Sequence, residues 1–140
     1  MSEPPKRPVE TPREWWRYAE EDLSVAEREM QAGSKAYHTI CFLCQSAAEK
    51  FLKGYLIAQG WTLERTHDIV ALLELATQFE AGWESMLTEG AVLNEYIVAG
   101  RYPGDVALEE IGKPQAAEAL DAVRHIRSHL RDIMMSKYDL

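Results

Sequence analysis

Two side chains near the C-terminus are of types that can act on a phosphodiester. Arg124 and His129 are separated by four residues, and His125 directly follows the arginine. A guanidinium can bind a phosphate through two parallel hydrogen bonds, and an imidazole can move a proton, such as that of a ribose 2′-hydroxyl, near neutral pH. The pair could therefore hold a phosphodiester and move a proton during its cleavage. The competing interpretation is chance, because residues 124–131 hold three arginines and two histidines.

The same stretch also offers a metal-ligand pattern. Asp121, His125 and His129 recur at steps of four, so on a helix they project from one face and could form a site of two histidines and one carboxylate. The sequence shows no further ligand. We therefore favour a solvated face in which the carboxylate supports neighbouring charges, and we expect neither a metal nor another cofactor.

A second set of charged residues lies in the middle of the chain. Glu49 and Lys53 are four residues apart, a spacing at which they can pair on a helix. Alternatively, Lys50 or Lys53 lies beside a turn that holds Arg101 and Tyr102, where these side chains contact the phosphate and base of a nucleotide. Pairing and ligand contact do not exclude each other, so both interpretations stay open.

The polar residues just before the next predicted helix also have two interpretations. Asp68 can cap the first turn of that helix, and His67 can bond the neighbouring backbone. We favour this structural role over catalysis. Arg65 could widen a phosphate-binding surface at the same place.

Helices must position these residues, because apolar side chains recur at intervals of three and four along most of the chain. Thr11, Pro12 and Glu14 have the form of a capping box, which predicts a first helix that begins there and ends near Gly33. Later helices are predicted from Ser34 to Gly60, from about Asp68 with Phe79 on its buried side, from about Glu84 to Ala99, and from Pro114 onwards. No alternating run argues for a strand. Short connections favour antiparallel neighbours, which predicts an all-α, up-and-down bundle of four long helices plus one shorter helix.

Length and composition indicate one globular domain. The chain has 140 residues, of which 46% are hydrophobic and 27% charged. Residues 1–10 hold three prolines, so we expect a disordered N-terminal arm before a single helical domain over residues 11–140. The net charge of −8 disfavours unspecific binding to nucleic acid. Because no apolar stretch could span a membrane, we expect a cytoplasmic protein, with Cys41 and Cys44 buried as small apolar side chains.

Four separated segments carry motifs that occur together in one protein family. Residues 45–54 read Gln-Ser-Ala-Ala-Glu-Lys-Phe-Leu-Lys-Gly, residues 66–69 read Thr-His-Asp-Ile, and residues 101–103 read Arg-Tyr-Pro. Residues 19–26 contain an Asp-Leu pair and a later alanine. In this order the segments resemble the HEPN family (higher eukaryotes and prokaryotes nucleotide-binding domain). One departure is Ser46, which stands where the family often has a second glutamine.

The resemblance implies a helical bundle that often dimerises, is frequently encoded beside a minimal nucleotidyltransferase and, in some branches, acts as a metal-independent ribonuclease. Our leading hypothesis is a homodimeric module that binds a nucleotide or RNA phosphate and works with such a partner. The candidate nucleotide contacts are Lys50, Lys53, Arg65, His67, Arg101 and Tyr102. The alternative is an endoribonuclease toxin of a toxin–antitoxin pair that uses Arg124 and His129, since their spacing fits the motif of the ribonuclease branches. A third hypothesis is a purely structural dimerisation partner.

Overall fold

The fold is all-α in the part of the chain that the computed structural model describes, which is residues 11–97 and 110–138, with side chains up to residue 134. The helices are α1 (Pro12–Gln31), α2 (Tyr37–Ala58), α3 (Ile69–Thr77), a 3₁₀-helix (Ala81–Met86), α4 (Leu87–Asn94) and α5 (Lys113–Tyr138). No strand occurs among the described residues. The predicted fold class is therefore confirmed. None of the described helices is long and apolar enough to cross a membrane.

The ends of the first two helices follow their sequence signals. The Thr11 hydroxyl accepts a hydrogen bond from the backbone N–H of Glu14 at 3.4 Å, as the capping box predicts. Beyond the C-terminal ends, Gly33 and Gly60 have φ angles of +75° and +93°. This left-handed conformation favours glycine, which has no Cβ, and lets the backbone turn away from the helix axis.

Three details differ from the prediction. The Ser34 hydroxyl accepts from the N–H of Ala36 at 3.2 Å and orders the turn before α2, but Ala36 occupies the cap position itself. Within the described part of the predicted helix over residues 84–99, which ends at residue 97, a 3₁₀-helix is followed by the short α4. Three of the described helices are therefore long, with 20, 22 and 26 residues. Phe79 is 48% exposed, because α3 ends at Thr77 and its buried stripe stops there.

The hydrophobic core is built around α2. This helix packs against α1, α3, α4 and α5, and its largest buried side chains include Ile40, Phe51 and Leu52. Cys41 and Cys44 are fully buried, as expected, and burial raises the pKa of the Cys41 thiol to about 12. Both thiols thus serve as small apolar packing groups.

Candidate functional site

A row of polar side chains follows α2 on the side that faces α1 and the loop over residues 61–68. Their spacing along the helix places them on one face about 140° wide. We call the row and its partners the α2 seam. The seam consists of Gln45, Ser46, Glu49, Lys50 and Lys53 of α2, Asp22 of α1, and His67 of the loop. Of the predicted nucleotide contacts, Lys53 and His67 both bind Glu49, whereas Lys50 binds Asp22 in a separate group on the same face of α2.

Lys50 connects α2 to α1 at one side of the seam. Its Nζ lies 2.7 Å from Asp22 Oδ2, and the Ser46 hydroxyl donates to the same oxygen at 2.8 Å. The Lys50 side chain is 29% exposed, so it pairs with Asp22 while part of it contacts solvent. Ser46, which departs from the family pattern, thus bonds a carboxylate of the neighbouring helix.

Glu49 is the centre of the other side of the seam. One carboxylate oxygen accepts from Lys53 Nζ at 2.9 Å, and the other lies 2.7 Å from His67 Nδ1 and 3.4 Å from Gln45 Nε2. The predicted pairing of Glu49 with Lys53 is therefore present. The carboxylate is well supplied with donors, which offsets the removal of its charge from water.

The Lys53 side chain is the most enclosed charge of the seam. It is 6% exposed, and its Nζ lies 5.9 Å from the centroid of the Trp15 ring, within the range of a cation–π contact. The two lysines balance the carboxylates of Asp22 and Glu49 within the seam. Additional positive charge at its solvent side must therefore come from the exposed Arg65 and from a protonated His67.

His67 is held at two points although its loop has no regular secondary structure. Gln45 Nε2 donates to the backbone carbonyl of His67 at 3.0 Å, and Glu49 binds the ring. The prediction that the His67 side chain bonds the neighbouring backbone is therefore wrong. The ring instead binds the carboxylate of Glu49, which lies on α2. The ring remains 52% exposed, so its outer edge is open to a ligand.

Asp68 caps α3, as the sequence predicts. Its carboxylate accepts from the N–H of Ala71 at 3.1 Å and from Asn94 Nδ2 at 2.8 Å, and Asn94 Oδ1 accepts from the N–H of Ile69 at 2.7 Å. The hydrogen bonds from Asn94 and Ala71 hold the pKa of Asp68 below its usual value. The start of α3 is thereby joined to the end of α4.

Arg101 and Tyr102, the remaining predicted nucleotide contacts, lie outside the described residues.

Arg124 and His129 point away from each other on α5. Five positions along an α-helix correspond to a rotation of about 140° and a rise of about 7.5 Å. Arg124 lies 3.3 Å from Glu27 of α1 and 3.7 Å from Asp121, whereas His129 lies 2.8 Å from Glu80, which directly precedes the 3₁₀-helix. Within one chain the fold does not assemble the predicted catalytic pair.

His129 is part of a packed contact between α5 and the 3₁₀-helix. Its ring meets the buried Trp83 edge-on, with centroids 4.5 Å apart, while Glu80 also accepts from the N–H of Gly82 at 3.0 Å. The bonds from Gly82 and His129 hold the pKa of Glu80 below its usual value. Nothing in the sequence indicated Glu80 as the partner, because it lies 49 positions before His129 in the chain.

The candidate metal ligands of α5 also have separate partners. His125 Nδ1 lies 3.4 Å from Glu89, His129 bonds Glu80, and Asp121 lies nearest to Arg124. Among residues 11–97 and 110–134, no group of three or more histidine, cysteine, aspartate or glutamate side chains could hold a metal ion. Asp121 and His125 are exposed, whereas His129 is packed against Trp83, so the interpretation as one solvated face fits the first two residues but not the third.

A groove of about 270 Å³ between α4 and α5 is unsuited to phosphate. Its walls carry the carboxylates of Glu89, Glu118 and Asp121, and His125 already faces Glu89. Three carboxylates around one groove repel an anion. The α2 seam, whose carboxylates are matched by lysines, is the better candidate for a phosphate site.

Asp22 and Gln45 were not predicted as site residues, although both lie in motifs that carry the family resemblance.

Comparison with known proteins agrees with the fold and the motifs. The family model described as "HEPN domain" matches residues 12–133. The crystal structure of TT1696 from Thermus thermophilus is similar to this chain, with a TM-score of 0.70 and 29% sequence identity over 86% of this chain and 96% of TT1696. No curated protein matches the chain. The chain is a member of the HEPN domain family.

Proposed function

We propose that this protein is a HEPN module that binds the phosphate of a nucleotide or RNA at the solvent-facing edge of the α2 seam. His67, Arg65 and the exposed part of Lys50 contact the phosphate, and Lys53 supports them from inside. The observation that carries the proposal is the buried pairing of Lys53 with Glu49, continued outward to the half-exposed His67.

A buried ion pair often contributes little to the free energy of folding. The free energy lost when two charges leave water often exceeds their mutual attraction, and well-packed apolar side chains of similar volume frequently stabilise a fold as much or more. The presence of a charged network that reaches the surface is therefore better explained by a ligand.

The charge balance limits the affinity and predicts its dependence on salt. Because the lysines of the seam are paired, positive charge is added at its edge by Arg65 and, when protonated, by His67, against a total of −8 for the chain. A phosphate held by few cations loses affinity as salt rises. We expect binding at low ionic strength that is weak compared with that of proteins having a continuous basic face.

No contact among the described residues favours ribonuclease activity through Arg124 and His129, because each of them binds a different carboxylate. A composite site would require a second subunit to supply the other residue, and His129 would have to leave Glu80 and Trp83. We treat RNA cleavage as an outcome of the test.

On the basis of the family resemblance, we further propose that the module forms a homodimer and works with a minimal nucleotidyltransferase.

The test is a calorimetric titration at low salt with a nucleoside triphosphate, a nucleoside monophosphate and a short single-stranded RNA. His67→Ala and Arg65→Ala should each weaken binding about tenfold or more, because a hydrogen bond to a charged group contributes about 1.5–3 kcal/mol. Lys113→Ala, an exposed change at the start of α5, is the matched control and should bind like the wild type.

The RNA is examined for cleavage after each titration. Binding that is lost in His67→Ala and kept in Lys113→Ala supports the proposal. Equal binding by all variants, or none by the wild type, overturns it. Cleavage that requires His129 but not His67 would instead establish the ribonuclease alternative.

A further inference from the structure

We propose that phosphate binding at the α2 seam is coupled to the uptake of one proton on His67 Nε2, and that Glu49 is the positioning residue that makes this nitrogen the acceptor. The inference rests on the proposed function, since it concerns the same site. It adds a role for Glu49 and specifies how a neutral histidine becomes a phosphate donor.

The orientation of the imidazole follows from the chemistry of its partner. An ionised carboxylate only accepts hydrogen bonds, so the contact of 2.7 Å requires that His67 Nδ1 carries the proton. The other oxygen of Glu49 accepts from Lys53 Nζ at 2.9 Å, so the carboxylate lies as an acceptor between two donors. In the neutral ring, Nε2 is then the nitrogen without a proton. A proton added to the ring can go only to Nε2, on the exposed edge.

A neutral ring with this tautomer cannot donate to a phosphate oxygen. Nε2 and the phosphate would oppose each other as two acceptors, whereas a protonated Nε2 forms a charge-assisted hydrogen bond. The proton comes from the solvent or buffer, and the imidazolium then lies between Glu49 on one side and the phosphate on the other. Because a ligand that prefers the protonated form raises its population, binding and proton uptake are linked.

The charged groups around His67 are compatible with this step. Glu49 is the carboxylate in contact with the ring, and Lys53 binds the opposite oxygen of that carboxylate. The pair of Lys50 with Asp22 lies across the same face of α2, while the neighbours Arg65 and Asp68 flank His67 along the chain. Asp68 is engaged by Asn94 and by the start of α3. Glu49 is therefore the group that selects the tautomer.

The experiment measures binding of a nucleoside monophosphate by calorimetry in buffers with different ionisation enthalpies. The slope of the observed enthalpy against the buffer enthalpy gives the number of protons taken up. The wild type should take up protons on binding, so its slope should differ clearly from zero. His125→Ala is the matched control, because His125 also directs Nδ1 at a glutamate but lies on α5. It should leave the slope unchanged.

Glu49→Gln separates positioning from a purely structural role. A glutamine amide can donate to Nδ1, which places the ring proton on Nε2 without uptake from the buffer. We expect the slope to fall towards zero while some binding remains. If this variant does not fold, Glu49→Gln combined with Lys53→Met removes the buried charges together and allows the same measurement.

The outcomes distinguish this inference from the function on which it rests. Absence of binding by the wild type contradicts the proposed function. Binding without proton uptake, or with the same uptake in Glu49→Gln, leaves that function in place and overturns the role of Glu49. ¹⁵N spectra of the free protein give an independent readout, in which a ring protonated on Nε2 rather than Nδ1 would also contradict it.

Discussion

The α2 seam and the histidine face of α5 contain the same kinds of residues but organise them differently. In the seam, Glu49 receives donors from Lys53, Gln45 and His67, so three side chains share one carboxylate. On α5, Arg124 and His129 each bind a separate carboxylate on a different element. The first arrangement is a connected network, and the second consists of independent contacts.

Helical spacing explains the difference. Residues three or four apart lie on one face of a helix, as Gln45, Glu49 and Lys53 do, whereas residues five apart diverge by about 140°. The contacts of Arg124 and His129 agree with this divergence, because Arg124 lies against Glu27 of α1 and His129 against Glu80. Within one chain these two side chains therefore do not face a common ligand.

The largest expected effect concerns the buried charge of the seam. Lys53→Met should lower the free energy of unfolding by about 3 kcal/mol, because it leaves Glu49 enclosed with fewer donors. Arg124→Ala, which removes a cation that is 45% exposed, should cost less than about 1 kcal/mol. Urea denaturation of both variants measures the contrast.

The double variant Glu49→Gln with Lys53→Met sharpens this comparison. It removes both charges, so much of the lost stability should return. Similar losses for Lys53→Met and Arg124→Ala would show that the seam is no more enclosed than the surface of α5.

A smaller effect is expected where α1 approaches α2. A Cβ on Gly54 would lie 2.5 Å from Nε1 and 2.8 Å from Cδ1 of Trp16, whose indole is buried and donates to the carbonyl of Phe51. Gly54→Ala should therefore destabilise the fold by about 1–2 kcal/mol, because overpacking outweighs the gain in helix propensity.

Gly82→Ala is the counterpart beside α5. Its Cβ would come within 2.8 Å of Glu80 Oε2 and His129 Cε1, but these are the ends of side chains that can rotate. We expect a smaller loss than for Gly54→Ala, measured in the same denaturation series. A larger loss would mean that the contact of Glu80 with His129 is as rigid as the core.

Features that depend on the spacing of residues close together in the chain could be predicted from the sequence. The fold class, the capping roles of Thr11 and Asp68, and the pairing of Glu49 with Lys53 all follow from residues within four positions of each other. The partners of His67 and His129 are Glu49 and Glu80, which come from distant parts of the chain. Such contacts depend on how the helices pack against each other, and the spacing of apolar residues along one helix does not reveal that packing.

The smallest expected effect is the dependence of stability on acid. The pKa values of Asp68 and Glu80 are lowered in the folded protein from ordinary values of 3.8 and 4.5. Their stabilising contribution is thus complete above those values and is lost as the pH falls through the lowered folded values. Asp68→Asn and Glu80→Gln should each flatten the acid limb of a plot of melting temperature against pH. An unchanged limb in both would show that these hydrogen bonds do not favour the charged carboxylates.

The most direct test of the account is an NMR titration of the wild-type protein with a nucleoside monophosphate at low salt, with the amide and imidazole signals assigned. We predict that the largest shifts occur at Glu49, Lys50, Arg65 and the imidazole of His67, while signals of Arg124 and His129 change little. Largest shifts at Arg124 and His129 would contradict the account, as would the absence of any shift in the α2 seam.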